Sequence, residues 1–301
     1  IIDGATGATK FQIISPTILP GGTAPAMADL DNDGFGEFIL IGNDRLIRCY
    51  NHLGQLKFTG PDQVGFGDRA RFAVPNIADF EHDGLPEINV GSQVFSGQTG
   101  ALLASGGPAL SAGEHPARVA GNFSFASPVA IDALPDSFCP DCAGLEIVAG
   151  NQVLSVNLVR GVVAAVVTAP APFTDGFTSI ADFDLDGDLD ALVQGKKGTR
   201  NTVYCWDIQS GTILREYQLP NNWFDGASRV NVADLNGDGQ LEISFVEFPR
   251  LIALKNDFTV LWSLQTLDPS SITCSSVYDF CGDGSADVIY RGQFFLQVIE
   301  G

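Results

Sequence analysis

The sequence predicts an all-β protein, a six-bladed β-propeller with four-stranded antiparallel blades. Three observations support this prediction: a unit that recurs six times, short apolar stretches separated by Gly-containing turns, and few patterns typical of long amphipathic helices. The 301 residues, with 34 Gly and 16 Pro, suit many short strands within one domain spanning residues 1–301. A seven-bladed ring is the alternative.

Each repeat begins with an apolar strand that ends in an aspartate, continues through an Asp/Gly loop, and returns in a second apolar strand. Successive anchoring aspartates lie 45 to 53 residues apart, a length typical of a propeller blade. Blades are expected to start near residues 23, 73, 126, 176, 228 and 273. The anchors are Asp29, Asp79, Asp132, Asp182, Asp234 and Asp279.

The two ends of the sequence complement each other. A four-stranded sheet leaves open edges, so a ring of blades has to close. The sixth unit stops at Gly301 before a fourth strand, whereas the stretch from Ile1 to Phe11 matches the turn and fourth strand of the other units. We therefore predict that residues 1–19 complete the last blade, either within one chain or by donation to a neighbouring molecule. Donation would build a head-to-tail filament.

The loops after the anchoring aspartates have the pattern of a calcium site. Counting the anchor as position 1, oxygen-bearing side chains stand at positions 1, 3, 5 and 9, and glycine at position 6 allows a sharp turn. Hard oxygen donors in a flexible loop favour Ca²⁺ over Mg²⁺. Four copies are intact, so we expect about four structural calcium ions. The predicted ligands are Asp29, Asp31, Asp33 and Glu37; Asp79, Glu81, Asp83 and Glu87; Asp182, Asp184, Asp186 and Asp190; and Asp234, Asn236, Asp238 and Glu242.

The sixth loop departs from this pattern. It keeps Asp279, Asp283 and Asp287, but Cys281 replaces the oxygen at position 3. A thiol is a poor calcium ligand, so we expect a weak site. Cys274 and Cys281 bracket one predicted strand and form a candidate disulfide pair.

The third loop departs further. Asp132 is separated from Glu146 by a longer segment, and we expect its metal geometry to be lost. Cys139 and Cys142 lie in this segment and are predicted to form a small structural disulfide. The alternatives are a redox motif and half of a zinc site. The sequence lacks the βαβ context of the first and a second pair of soft ligands nearby for the other.

Composition restricts the partners. A net charge of −20 argues against nucleic acid and anionic membranes, and no apolar run is long enough for membrane insertion. Six cysteines suit an oxidising, extracellular location.

Asn122 opens an Asn-Phe-Ser triplet and is a candidate glycosylation site. Trp223 and Phe224 lie in a polar loop and are candidate contacts for a sugar or protein, with blade packing as the alternative.

The stretches 232–243 and 180–188 resemble the FG-GAP repeats of integrin α-subunit propellers and, more closely, secreted bacterial proteins that carry the same calcium-loop repeat. The resemblance implies a propeller with one calcium loop per blade, between the first and second strands. It also implies an extracellular adhesive, ligand-binding or structural role. The calcium role carries over to the four intact loops, whereas the third and sixth break the family pattern.

These observations favour a non-catalytic scaffold that presents a stiff surface to a protein or glycan ligand. No Ser-His-Asp, Cys-His or H-E-x-x-H arrangement appears, and most clustered carboxylates belong to the predicted metal loops. We therefore expect no catalytic centre. The alternatives are a subunit of a self-assembling extracellular filament and a carbohydrate-active enzyme.

Overall fold

The computed structural model describes residues 1–13, 24–42, 44–60, 73–107, 109–114, 126–220, 228–267, 275–292 and 295–301. All regular elements in these ranges are β-strands, so the all-β prediction is confirmed there. The chain divides into two compact units, which are described separately. Unit 1 contains Ile1–Leu110, Asn122–Ile147 and Ser155–Ala164, and unit 2 contains Ser111–Gly121, Val148–Leu154 and Ala165–Gly301.

The first two sheets are built mainly from strands that pair with their neighbours in sequence. Their strands are β1 (Ala26–Ala28), β2 (Glu37–Ile41), β3 (Ile47–Tyr50), β4 (Leu56–Thr59), β5 (Asn76–Ala78), β6 (Glu87–Val90), β7 (Gln93–Ser96), β8 (Leu102–Ser105), β9 (Val129–Ile131), β10 (Glu146–Ala149), β11 (Gln152–Asn157) and β12 (Val162–Thr168). The first sheet has the order β1-β2-β3-β4. The second has the order β5-β6-β7-β8-β12-β11-β10-β9, because β12 pairs in parallel with β8 through Val162 and Ser105.

Three further sheets belong to unit 2. Their strands are β13 (Phe177–Ala181), β14 (Asp190–Lys197), β15 (Arg200–Asp207), β16 (Ile213–Gln218), β17 (Asn231–Ala233), β18 (Glu242–Glu247), β19 (Arg250–Leu254), β20 (Val260–Gln265), β21 (Ser276–Tyr278), β22 (Asp287–Arg291) and β23 (Leu296–Ile299). Strands β13–β16 and β17–β20 form four-stranded antiparallel sheets, and β21–β23 form a three-stranded sheet over the residues described. The predicted counts of six blades and four strands per blade therefore remain predictions.

The second strand of each repeat is largely buried. Strands β6, β10 and β18 are buried along their whole length. Each lies between two hydrogen-bonded neighbours with both faces covered, so its sequence is a nearly continuous apolar run. The fourth strands, such as β16 and β20, are half-exposed. In unit 2 the sheets pack face to face through two apolar clusters, one centred on Phe245 and one on Tyr290.

The third and fourth strands share an irregularity at one register position in four repeats. The shift in pairing falls between Cys49 and Tyr50, between Val94 and Phe95, between Cys205 and Trp206, and between Ala253 and Leu254. One residue of the fourth strand is left unpaired at each shift, so these four residues are structurally equivalent. They are Lys57, Leu103, Leu214 and Leu261.

The N-terminal segment packs on the first sheet like a fourth strand of a preceding repeat. Ile2 pairs with Thr9, and the Phe11 ring stacks on Phe38 with centroids 6.4 Å apart. A Cβ at Gly54 would lie 2.5 Å from the Phe11 ring, just as a Cβ at Gly100 would lie 2.7 Å from the Phe58 ring of β4. Both glycines have positive φ, so both the conformation and the close approach require glycine.

Whether residues 1–19 complete the last blade stays a prediction. Residues 14–19 lie outside the described ranges, and within residues 1–13 the segment forms an internal bridge between Ile2 and Thr9. No helix in the described ranges has the length and apolar character needed to cross a membrane.

Candidate metal loops

Six hairpins carry the acidic loops, each between the first and second strands of a repeat. In every one, the last carboxylate of the loop lies at the start of the buried second strand. One of its oxygens accepts a hydrogen bond from the backbone N–H of position 2. These pairs are Glu37 with Leu30, Glu87 with Phe80, Glu146 with Ala133, Asp190 with Phe183, Glu242 with Leu235, and Asp287 with Phe280, all at 2.9–3.0 Å.

The anchoring aspartate shapes the turn. In the second loop, Asp79 accepts hydrogen bonds from the N–H groups of Asp83 at 3.0 Å and Gly84 at 2.8 Å. Asp83 in turn accepts one from the N–H of Leu85 at 2.8 Å. Gly84 has φ of 87°, and an added Cβ would touch nothing within 4 Å, so glycine is needed here for backbone conformation alone. These hydrogen bonds hold the turn closed and leave other oxygens available.

The fourth loop shows what those oxygens can do. Asp182 Oδ1 and Asp184 Oδ1 are buried and lack a hydrogen-bond partner. Ligand oxygens of Asp182, Asp184 and Asp190 lie within 4.8 Å of one another. Buried carboxylate oxygens without partners are costly, and two such residues converging with Asp190 fit a hard divalent cation that takes several oxygen ligands. The donor set therefore fits calcium. The oxygens of Asp29, Asp31 and Asp33 converge similarly in the first loop.

The pKa values of the last loop carboxylates also favour a bound cation. Burial raises the pKa of Glu87 to about 7, and repulsion from the neighbouring loop carboxylates adds to this effect. The hydrogen bond from Phe80 lowers the pKa but does not outweigh burial. The same causes raise the pKa of Asp190 to about 7. Carboxylates crowded together resist ionisation unless a counter-charge is present, and a bound cation supplies one.

The first loop contains such a counter-charge from the protein itself. Lys57 Nζ lies 2.6 Å from Asp31 Oδ2 and 3.2 Å from Glu37 Oε1, so it bridges positions 3 and 9. Partial burial alone would lower the pKa of Lys57, but the two ion pairs outweigh it and raise that pKa. Sequence reasoning missed Lys57 because it lies 20 residues beyond Glu37. Alignment of the repeats would have revealed it, since leucine stands at the equivalent position of three others.

The third loop departs from the pattern less than its length suggests. Glu146 Oε2 accepts hydrogen bonds from Ala133 and Leu134, as the last carboxylate does in the other loops, and Glu146 Oε1 is buried without a partner. The last carboxylate thus keeps its usual place despite the longer loop, and the expectation that the metal geometry is lost stays a prediction. Position 3 is Leu134, a buried apolar side chain, so that ligand is missing.

The inserted segment of the third loop is cross-linked. Cys139 and Cys142 form a disulfide, which confirms the predicted pairing. Asp141 between them accepts a hydrogen bond from Asn157 at 2.7 Å and forms an ion pair with Arg160. The segment is thus tied to β11 and to the turn that follows.

The sixth loop corrects one prediction. Cys281 is a free and exposed thiol at position 3, with its Sγ 4.0 Å from Asp279 Oδ1, so the candidate disulfide with Cys274 is not formed. The turn directs the Cys281 side chain toward the other ligand positions, where Asp279, Cys281 and Asp287 form a group. Cys274 itself lies outside the described residues, as do Asn122, Trp223 and Phe224.

Neighbouring loops are joined to each other. Asn32 of the first loop donates a hydrogen bond to the carbonyl of Gly84 in the second at 2.8 Å. The N–H of Leu145 in the third loop donates to Phe80 in the second at 3.2 Å. In unit 2, the N–H of Ala286 donates to Asp234 at 2.8 Å. These hydrogen bonds therefore connect adjacent loops directly.

Comparison with known proteins confirms the resemblance to this repeat. The family model of the FG-GAP-like repeat matches residues 182–244, which include the fourth and fifth loops. No curated protein sequence matches the chain. The solved structures that it resembles are β-propellers, and at their low sequence identities the likeness concerns the fold alone.

Three of these structures illustrate the likeness. The biofilm matrix protein Bap1 of V. cholerae has a TM-score of 0.54 and 18% identity, with 86% of this chain and 44% of that chain covered. The rhamnogalacturonan lyase YesW has a TM-score of 0.55 and 16% identity, with 92% and 55% covered. BBS1N, in complex with ARL6DN, has a TM-score of 0.56 and 14% identity, with 92% and 78% covered. The chain thus spans about half the length of Bap1 and YesW.

Proposed function

We propose that this protein is an extracellular, non-catalytic β-propeller module of six blades, in which calcium ions stiffen the acidic loops and the surface binds a protein or glycan ligand. The observation that carries the proposal is the convergence of buried, unpartnered oxygens of Asp182 and Asp184 with Asp190 in a loop whose pattern recurs along the chain. Calcium held at the intact loops relieves the repulsion among their carboxylates.

The links between loops explain how calcium acts beyond a single turn. A cation that orders the second loop also orders the carbonyl of Gly84, to which Asn32 of the first loop donates. It likewise orders Phe80, which accepts from Leu145 of the third loop. A stiff surface loses less conformational entropy on binding a partner. The role of Bap1 as a biofilm matrix protein is compatible with such a module.

An extracellular location is supported by the Cys139–Cys142 disulfide, since disulfides persist in oxidising compartments. It is also supported by the calcium requirement proposed here. Extracellular modules bind calcium with dissociation constants on the order of 10⁻⁴ to 10⁻³ M, which suits calcium levels outside cells.

A second candidate function is self-assembly through the N-terminal segment. Phe11 packs against Gly54 as a fourth-strand residue would. Over the described residues β23 is the last strand of its sheet, and it exposes Leu296 and Val298. An exposed apolar edge strand is a template for pairing with another strand. The N-terminal segment of a second molecule would supply such a strand and lead to a filament.

Size-exclusion chromatography with light scattering and thermal melting, each in calcium and after chelation, test both candidates. A module that binds outside ligands should be monomeric in both conditions and should melt at a lower temperature after chelation. Polymers that persist in calcium and dissociate on deletion of residues 1–12 would favour self-assembly. A melting temperature that does not respond to calcium would contradict the proposed role of the loops.

A further inference from the structure

The first loop differs from the other intact loops because its carboxylates already form ion pairs with a lysine side chain. Lys57 Nζ contacts Asp31 at position 3 and Glu37 at position 9. The Glu37 side chain has no exposed surface, so its charge depends on protein groups for compensation. In the described ranges, no other lysine forms a salt bridge with a carboxylate at these positions of a loop.

Lysine is not needed at this position to build the sheet. Lys57 is the unpaired residue at the register shift between the third and fourth strands, and the equivalent residues are Leu103, Leu214 and Leu261. A leucine therefore satisfies the backbone geometry in three repeats. The lysine distinguishes the first repeat by charge, because its loop carries four carboxylates and one ammonium.

We propose that Lys57 is an internal counter-ion that competes with calcium for the first loop, so that the loop with the most regular motif is the weakest of the four intact calcium sites. This inference rests on the proposed binding of calcium to the intact loops. Calcium at Asp31 and Glu37 would lie close to the ammonium group of Lys57, and the two positive charges repel each other. Binding at the first loop therefore weakens or breaks the ion pairs of Lys57 with Asp31 and Glu37.

The arrangement has a consequence for the calcium-free protein. Among the described residues, no lysine or arginine forms a salt bridge with the second or fourth loop, whereas the first loop keeps Lys57 when calcium is removed. The first sheet should consequently stay ordered at low calcium, and the loss of stability on chelation should come from the other loops.

Isothermal titration calorimetry of the full chain with CaCl₂ tests this inference, using wild type, Lys57→Leu and Lys57→Leu combined with Asp29→Asn. We expect Lys57→Leu to gain one site, or to bind at the first loop about tenfold or more tightly, equivalent to at least about 1.4 kcal/mol. Adding Asp29→Asn should remove that gain and so assign it to the first loop. Lys197→Leu is the matched control, since Lys197 pairs with Glu216 outside the loops and its loss should leave calcium binding unchanged.

Thermal melting supplies a second readout. In chelator, Lys57→Leu should melt below wild type because the buried Glu37 loses its ion pair with Lys57, and calcium should remove that difference. The reciprocal variant Leu103→Lys should weaken binding at the second loop, and it keeps the test decisive if Lys57→Leu fails to fold. If folded Lys57→Leu, or Leu103→Lys, binds calcium as the wild type does, this inference is overturned and the proposed function is not. Absence of calcium binding in every variant would overturn the proposed function as well.

Discussion

Replacing Asp182 by Asn should have opposite effects on stability with and without calcium. Asp182 Oδ2 accepts a hydrogen bond from Gly187 at 3.1 Å, and an Asn side-chain oxygen can keep it. The Asn amide nitrogen then takes the place of Oδ1, which is buried and unpartnered. Without calcium, the substitution removes one of three carboxylates whose oxygens lie within 4.8 Å, which should leave stability unchanged or raise it by about 1 kcal/mol.

With calcium the sign reverses. Calcium at about 100 times the dissociation constant of the loop stabilises the wild type by about 2.7 kcal/mol, and Asp182→Asn should lose most of this. For a domain of this size the loss corresponds to about 5 °C in melting temperature. Differential scanning calorimetry in calcium and in chelator measures both values. Asp188→Asn is the control, because the Asp188 side chain is exposed in the same loop and is not among the predicted ligands. Equal destabilisation of Asp182→Asn in both conditions, or equal shifts for the two variants, would refute the metal role of Asp182.

Three further predictions concern other parts of the fold. Replacing Cys139 and Cys142 by Ser should cost about 2 kcal/mol, because the bond closes a short loop, and urea unfolding of the wild type with reductant should then match the variant. Burial raises the pKa of Asp175 to about 7, so the folded protein binds more protons than the unfolded chain at mildly acidic pH, and stability should fall as pH rises toward 7. Asp175→Asn should flatten that dependence in urea titrations from pH 5 to 8, and an unchanged slope would contradict it. Trp206→Phe leaves the carbonyl of Gly150 without its donor at 3.1 Å and should cost about 1–3 kcal/mol in urea unfolding, whereas a neutral effect would show that water replaces the indole.

Much of the local structure could be predicted from the sequence because it depends on neighbours along the chain. Asp79 and Gly84 are five residues apart, and the hydrogen bond between them closes within one turn. The second strands are visible in the sequence as apolar runs, since strands covered on both faces need continuous apolar residues. The pairing of Cys139 with Cys142 was equally local.

Predictions that joined distant or irregular segments were less successful. Cys274 and Cys281 have a plausible spacing, yet the turn directs Cys281 toward Asp279 and leaves its thiol free. The length of the third loop predicts that its metal geometry is lost, and this stays a prediction. Glu146 nevertheless occupies the usual place, because the N–H groups of Ala133 and Leu134 hold it at the start of β10.

The sequence by itself determined the strand-and-loop repeat, the acidic ligand pattern and the glycines of the turns, because each depends on residues within one hairpin. Only the tertiary structure decided which charges meet across strands. Lys57 reaches Asp31 and Glu37 because pairing of β3 with β4 shifts at Cys49 and Tyr50. That register depends on hydrogen bonds between separate strands, and spacing along the chain does not determine it.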